Sequence, residues 1–166
     1  MRKLVILCGA LALAACGSEK SGTVETKDGT AEYTVDTEGD GGTMTIKTKD
    51  GEVNFQSGSN AGDVDLPNGF TVYPAAEVVT NAKMSGDTGS SVNLIMNTSA
   101  SPDQVVAFYR KQAEAAGVEI SSEMSMDKVR IVGGQSKDGL NFSVHVSPGE
   151  DGKTTVSLGL NREKTK

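Results

Sequence analysis

Residues 101–117 read SPDQVVAFYRKQAEAAG, and this stretch predicts the α-helix on which the fold is organised. Ser101 is a favourable N-cap, Pro102 suits the first helical position, and Gln104 completes a capping box with the serine. Gly117 is a typical helix stop. Between them, residues at helical spacing predict a mostly apolar stripe toward the core: Val105, Phe108, Tyr109, Gln112, Ala113 and Ala116.

Two neighbouring aromatic residues lie in this stripe. We predict that Phe108 lies in the core, because large apolar side chains at helical spacing are usually buried. The hydroxyl of Tyr109 is predicted to lie at the rim of the same core.

Strand patterns flank the helix on both sides. Apolar and polar residues alternate there, and glycine-containing pairs separate the later runs, as in tight hairpins. One helix and about six strands predict an α+β fold, an antiparallel β-sheet with one helix packed on one face. The predicted strands are residues 77–84, 92–96, 118–124, 128–132, 140–146 and 154–160, with turns at Gly133-Gly134, Asp138-Gly139 and Asp151-Gly152.

Residues 23–63 differ from this α+β domain, which we place at residues 64–161. They are rich in Gly, Thr, Asp and Lys, and short runs with alternating apolar residues predict a β-meander followed by a linker. Their few large apolar side chains cannot offset an ordering cost of about 1–2 kcal/mol per residue. We therefore expect the meander to pack on the rest of the protein or on a partner. Its apolar residues are Tyr33, Val35, Met44, Ile46, Val53 and Phe55.

The first residues have the layout of a cleavable export signal. Arg2 and Lys3 form a positive head, residues 4–15 are apolar or small, and Cys16 follows. Such a stretch is too short to cross a bilayer as a stable helix, which takes about 20 apolar residues. We predict a signal peptide at residues 1–15, a flexible tether at 16–22 and a disordered tail at 162–166.

Leu13-Ala14-Ala15-Cys16 resembles the lipobox of bacterial lipoproteins. The resemblance implies cleavage before Cys16, a diacylglyceryl group on its sulfur and an acyl chain such as palmitate on its new amino terminus. Several chains together give stable attachment, so the membrane is the implied partner. Gly17 stands where an aspartate would retain such a protein at the inner membrane, which implies the outer membrane, facing the periplasm. The alternative is an ordinary secretory peptide in which Cys16 is incidental.

A second resemblance covers about residues 66–160 and rests on FTVYPAA at 70–76 and on the helix described above. These residues resemble a small domain found in many uncharacterised envelope lipoproteins. There, a Tyr-Pro-Gly-Ala turn precedes a strand, and a Phe-Tyr helix that ends in Ala-Ala-Gly leads into a hairpin sheet. Here Ala75 replaces the glycine, and Val118 stands where an aromatic residue is common. The resemblance implies a fold and no activity.

Charge and cysteine content narrow the classes of function. Removing residues 1–15 leaves 151 of 166 residues and takes away Arg2 and Lys3, which changes the net charge from −6 to about −8. An acidic surface argues against nucleic acid as a partner. Cys8 lies in the signal and Cys16 is consumed by acylation, so no thiol remains for a disulfide, a metal or catalysis.

Three candidate sites have simpler interpretations. His145 is the single histidine, and its alternation with valines predicts an exposed position on a strand. Residues 36–41 are similar to a calcium loop, but Lys47 stands where the closing glutamate is needed. Ser125 and Lys128 match a Ser-x-x-Lys motif that requires a helix, whereas this stretch is predicted to connect strands. We predict no catalytic residue, metal site or cofactor.

These observations predict a membrane-anchored lipoprotein of the cell envelope that acts as a binding or interaction module of unknown specificity. Its partner would be an envelope protein or a cell-wall component, bound by the sheet surface or by exposed strand edges. A small envelope enzyme with a site built from scattered Asp, Ser or Lys residues is the alternative, as is a purely structural lipoprotein. The sequence leaves the oligomeric state open.

Overall fold

The structure is a computed structural model in which residues 19–26 and 29–164 are described. Within these residues, ten strands form one antiparallel sheet, and the helix α1 (Pro102–Ala115) packs on it. The strands are β1 (Glu19–Thr26), β2 (Gly29–Glu38), β3 (Gly41–Thr48), β4 (Gly51–Ser57), β5 (Glu77–Gly86), β6 (Gly89–Thr98), β7 (Val118–Met126), β8 (Val129–Ser136), β9 (Leu140–Pro148) and β10 (Thr154–Glu163).

The strand order is β1-β2-β3-β4-β5-β6-β10-β9-β8-β7. The first six strands are neighbours in chain order, and α1 then carries the chain across the sheet to β7, at the far edge. β8, β9 and β10 return toward the middle, where β10 pairs with β6. The predicted fold class, an antiparallel sheet with a helix on one face, is therefore confirmed, and β1 and β7 are its edges.

The local signals of α1 are confirmed. The Gln104 backbone N–H donates to Ser101 Oγ at 3.4 Å, and Gln104 Oε1 accepts the Ser101 backbone N–H at 3.0 Å. Ala116 caps the helix, and Gly117 follows with a φ of 76°, a conformation that glycine adopts without strain.

α1 covers one face of the sheet and closes the core there. Val105, Tyr109 and Ala113 are fully buried and contribute the helical part of that core. α1 packs mainly against β7, β8 and β9, and Tyr109 also contacts Met96 on β6. The other buried members of the cluster are Phe70, Leu94, Met96, Val118, Val132, Leu140, Phe142, Val144, Val146, Val156, Leu158 and Leu160.

For the aromatic pair on α1, the rim position predicted for the Tyr109 hydroxyl was wrong, whereas the core contact predicted for Phe108 is confirmed in part. Tyr109 is fully buried, whereas Phe108 is partly buried and contacts Tyr73 edge to face, with ring centroids 5.0 Å apart. The Tyr109 hydroxyl accepts the Tyr73 backbone N–H at 3.0 Å and donates to Met96 Sδ at 3.4 Å. Burial raises the pKa of Tyr109 to about 12. Tyr109 occupies the centre of the buried stripe because Val105 and Ala113 lie one turn to either side.

The prediction of a turn at Gly133-Gly134 was also wrong, because both glycines lie within β8. The β8–β9 turn is at residues 137–139. A Cβ on Gly134 would collide with the Glu119 carbonyl oxygen of β7, where the register shifts between Ile120 and Ser122. Glycine therefore permits close approach of two backbones at a β-bulge.

The meander extends the sheet of the α+β domain and does not pack on it face to face. β4 pairs with β5, so backbone hydrogen bonds join the two parts. β1 begins at Glu19, inside the range assigned to the tether, because all eight of its residues pair with β2. The Tyr33 ring lies over Gly22 and covers this edge glycine. β10 likewise extends to Glu163, inside the range assigned to the tail.

Gly134→Ala tests the close approach of β7 and β8. We expect it to lower the free energy of unfolding by about 1–3 kcal/mol, because the added methyl group overpacks against the backbone of β7. Urea unfolding measures the change. Gly62→Ala is the control, since a Cβ there meets no atom within 4 Å. Equal stability of the two variants would contradict the assignment.

Tyr109→Phe tests the hydroxyl at the centre of the core. The variant keeps the ring but leaves the Tyr73 backbone N–H without its acceptor, which we expect to cost about 1–3 kcal/mol. Tyr73→Phe keeps this hydrogen bond and is the matched control. Thermal or urea unfolding of both variants measures the difference in stability. A Tyr109→Phe protein as stable as the control would refute a stabilising role of the Tyr109 hydroxyl.

Candidate binding surface

The sheet has two faces of different character, which we call the helix face and the open face. α1 lies over the helix face, and so does the 3-10 turn Gly58–Gly62, since Asn60 Nδ2 donates to Thr43 Oγ1 at 3.4 Å there. Phe70, from the loop before β5, stacks on Phe142 on the same side. Within the described residues, no helix packs across the open face.

The open face carries a contiguous apolar surface on β2–β5. The pairing register aligns its side chains in two rows that run across four strands. Met44, Phe55 and Met84 keep 38%, 40% and 54% of their surface exposed. We call this surface the apolar patch: it consists of Tyr33, Ile46, Val53 and Met84 in one row and Val35, Met44, Phe55 and Ala82 in the other.

A β-bulge in β5 places the patch on the open face. Val78 pairs with Met96 and points to the core, but the register shifts between Val78 and Thr80. The extra residue inverts the alternation, so Ala82 and Met84 point away from the core. β4 follows the same phase, since Phe55 pairs with Ala82.

Polar side chains occupy the helix face of the same strands. Asn81 is fully buried, and its Nδ2 donates to Gln56 Oε1 at 3.1 Å and to the Asp63 carbonyl oxygen at 3.2 Å. Asn54 Nδ2 donates to Thr45 Oγ1 at 3.0 Å. The meander therefore directs hydrogen-bonding groups toward the Gly58–Gly62 turn and apolar groups toward the open face.

The open face is nearly free of charge, although the chain carries a net charge of −6. In the described strands, acidic residues such as Glu32, Asp36 and Glu52 occupy helix-face positions. The charged residues at open-face positions are first or second from a strand end: Lys20, Glu77, Glu119 and Glu163. An uncharged apolar surface of this kind suits an uncharged apolar partner.

An open cleft of about 850 Å³ adjoins the patch where the β3–β4 and β5–β6 hairpins end. Ile46, Val53 and Met84 form its apolar part, and the hairpin turns form its polar rim. The cleft therefore extends the apolar patch to the end of the sheet.

A second cleft, of about 780 Å³, lies at the same hairpin ends and includes charged residues of the helix face. Arg162 Nη1 donates to Asp138 Oδ2 at 2.9 Å in its wall. The Ser136 hydroxyl and the Arg162 guanidinium hold the pKa of the Asp138 carboxyl below its usual value. Two ion pairs, Arg162–Asp138 and Lys47–Glu52, therefore lie in this cleft.

The residues considered from the sequence lie apart from one another. His145 is exposed on the open face of β9, as predicted. Ser125 belongs to β7 and Lys128 to the following turn, so no helix brings them together. Asp36 lies in β2 with one carboxylate oxygen buried and unpaired. Across residues 19–26 and 29–164, no three His, Cys, Asp or Glu side chains form a group that could hold a metal, and Cys16 lies outside this part of the chain.

The sequence predicts all eight patch residues to lie in strands, but it singles out only the six in the meander and does not indicate the face of Ala82 and Met84. The predicted strand at residues 77–84 rests on Val78 and Val79, whose apolar character gives no sign of the bulge. Two consecutive β-branched residues at a strand start were the available signal, because strict alternation fails there.

A family model described as START domain-like matches residues 78–154. This range is less than half of the chain, and it contains most of β5, together with β6, α1, β7, β8 and β9. The part of the sheet that carries the helix is therefore similar to START domain-like proteins. No curated protein and no solved structure shows significant similarity to the chain. In the described part of the chain, no helix has the length and apolar character needed to span a membrane.

Met84→Glu tests whether the patch is accessible to an apolar ligand. The probe is the neutral dye Nile red, added to the chain without residues 1–15 and with Cys16→Ser. We expect its fluorescence to fall by more than about half, because the substitution removes apolar surface and adds a charge. Ser143→Glu is the control, since Ser143 is exposed on the open face of β9 and lines neither cleft. Equal dye binding by the two variants would show that the patch is not the binding surface.

Proposed function

We propose that the protein is a lipid-anchored binding module of the bacterial cell envelope and that the apolar patch is its binding surface. One observation carries this proposal: an acidic chain keeps an apolar surface exposed on a face whose strand interiors are uncharged. Contiguous exposed apolar surfaces on soluble domains usually mark sites of interaction. The START domain-like match supports a ligand-binding module.

The anchor in this proposal is Cys16, acylated after removal of residues 1–15. The position of β1 supports it, because this first described strand starts at Glu19, three residues after the cysteine. The acidic composition also favours attachment by acyl chains, since a negatively charged surface is not attracted to anionic headgroups. Position 17 holds glycine and not the aspartate that would retain a lipoprotein at the inner membrane. This favours the outer membrane, facing the periplasm.

Binding explains the site better than catalysis does. Buried side chains fill the space between α1 and the sheet, and the apolar cleft lies on the other face. His145 is exposed on β9, far along the sheet from the cleft at the β3–β4 and β5–β6 hairpins. Ile46, Val53 and Met84 give that cleft an apolar wall continuous with the patch, which suits an apolar ligand.

Cys16→Ser tests the anchor. We expect the unaltered protein to sediment with membranes and its amino-terminal peptide to carry the mass of a diacylglyceryl group and an acyl chain. The variant should move to the soluble fraction, because the thiol that receives the lipid is missing. Cys8→Ser, within the apolar run of the signal, is the control and should leave the distribution unchanged. An unaltered protein found in the soluble fraction with a free Cys16 thiol would refute the anchor.

A further inference from the structure

We infer that the apolar patch rests on the bilayer to which Cys16 is anchored, with the open face of β1–β5 toward the lipid and the helix face toward solvent. The inference rests on the proposed lipid anchor and names the partner of the proposed binding surface.

The length of chain outside the structure limits how far the patch can move from the membrane. Glu19 is three residues from Cys16, so the connection spans at most about 10 Å when fully extended. Lys20 pairs with Val35, which places β1 directly beside one row of the patch. Neighbouring strands are about 4.8 Å apart, so Phe55 on β4 is about 15 Å from β1. The patch is thus held close to the anchor.

Charge favours contact through the open face over contact through the end of the sheet. The sheet end next to the anchor carries Glu38 and Asp40, whose charges would lose hydration against the headgroups. The open face of β1–β5 is uncharged between its strand ends. Its charge nearest the anchor is Lys20, a cation suited to lipid phosphate.

The size of the patch favours a bilayer over a second copy of the chain. Four strands and two rows of side chains cover about 20 Å by 15 Å, or roughly 300 Å². A standard protein interface buries about 800 Å² on each partner. The patch is well below that size, whereas a surface already tethered to a membrane needs no large contact to stay there.

The side chains suit the boundary between headgroups and acyl chains. Tyr33 combines an apolar ring with a polar hydroxyl, as aromatic residues at membrane surfaces do. Met44 and Met84 are flexible and adapt to a disordered lipid surface. Threonine, serine and asparagine surround the patch on the open face, at Thr37, Thr80, Asn93 and Ser57.

Spin labels on two neighbouring residues of β5 test the inference. The lipidated protein is prepared as Met84→Cys or Ser85→Cys and reconstituted into phosphatidylcholine vesicles; acylated Cys16 does not react with the label. Collision rates are measured with oxygen, which concentrates in lipid, and with a water-soluble nickel chelate. We expect the oxygen-to-nickel ratio at position 84 to rise several-fold over that of the unlipidated Cys16→Ser form in solution, and the ratio at position 85 to stay unchanged.

The outcomes separate this inference from the proposed function. Mass measurement of the amino-terminal peptide of the same sample establishes lipidation, and an unlipidated native peptide would overturn the anchor and the inference together. A lipidated protein with a water-exposed label at position 84 would overturn the inference alone. Protection from both reagents with spin–spin broadening would also overturn it, since a second copy would then cover the patch. Met44→Cys and Lys47→Cys repeat the comparison on β3 if a β5 variant does not fold.

Discussion

The hydrogen-bonded pairing of β4 with β5 is the contact on which the rest of the structure depends. The helix-face positions of the described strands β1–β4 hold polar residues and glycine, so the order of the meander comes from the backbone ladder that continues the sheet of the α+β domain. The ladder also fixes the direction of each side chain, because a shift of one residue would turn Phe55 to the helix face and Gln56 to the open face. Buried Asn81 opposes such a shift through its hydrogen bonds to Gln56 and Asp63.

Structure that depends on neighbouring residues could be predicted from the sequence, whereas structure that depends on register could not. The capping box at Ser101 and the stop at Gly117 are local signals, and both were confirmed. Gly133-Gly134 looks like a turn locally, but its role is set by the close approach of the β7 backbone, where the register shifts between Ile120 and Ser122. The depth of Tyr109 likewise depends on Met96 of β6 and on Tyr73 in the loop before β5, neither of which is a neighbour in sequence.

The apolar patch likewise combines features that local sequence predicts with features that only the strand register determines. Alternation identified Tyr33, Met44 and Phe55 as strand residues with one common face, but it cannot say which side of the sheet that face is on. The bulge after Val78 decides this, and it lies in the pairing of β5 with β6, outside the meander. The uncharged character of the open face emerges only after ten strands are aligned, because charged and uncharged residues alternate along each strand.

The position of β1 at the edge of the sheet affects how the molecule behaves toward other copies of itself. One side of this strand is hydrogen-bonded to β2, and within residues 19–26 and 29–164 no strand pairs with its other side, whose backbone groups could receive a strand from a neighbouring molecule. Glu19, Lys20 and Glu25 place three charges on its eight residues. Burying these charges between paired strands would be costly. They therefore oppose edge-to-edge pairing of sheets, which is the first step toward fibrils.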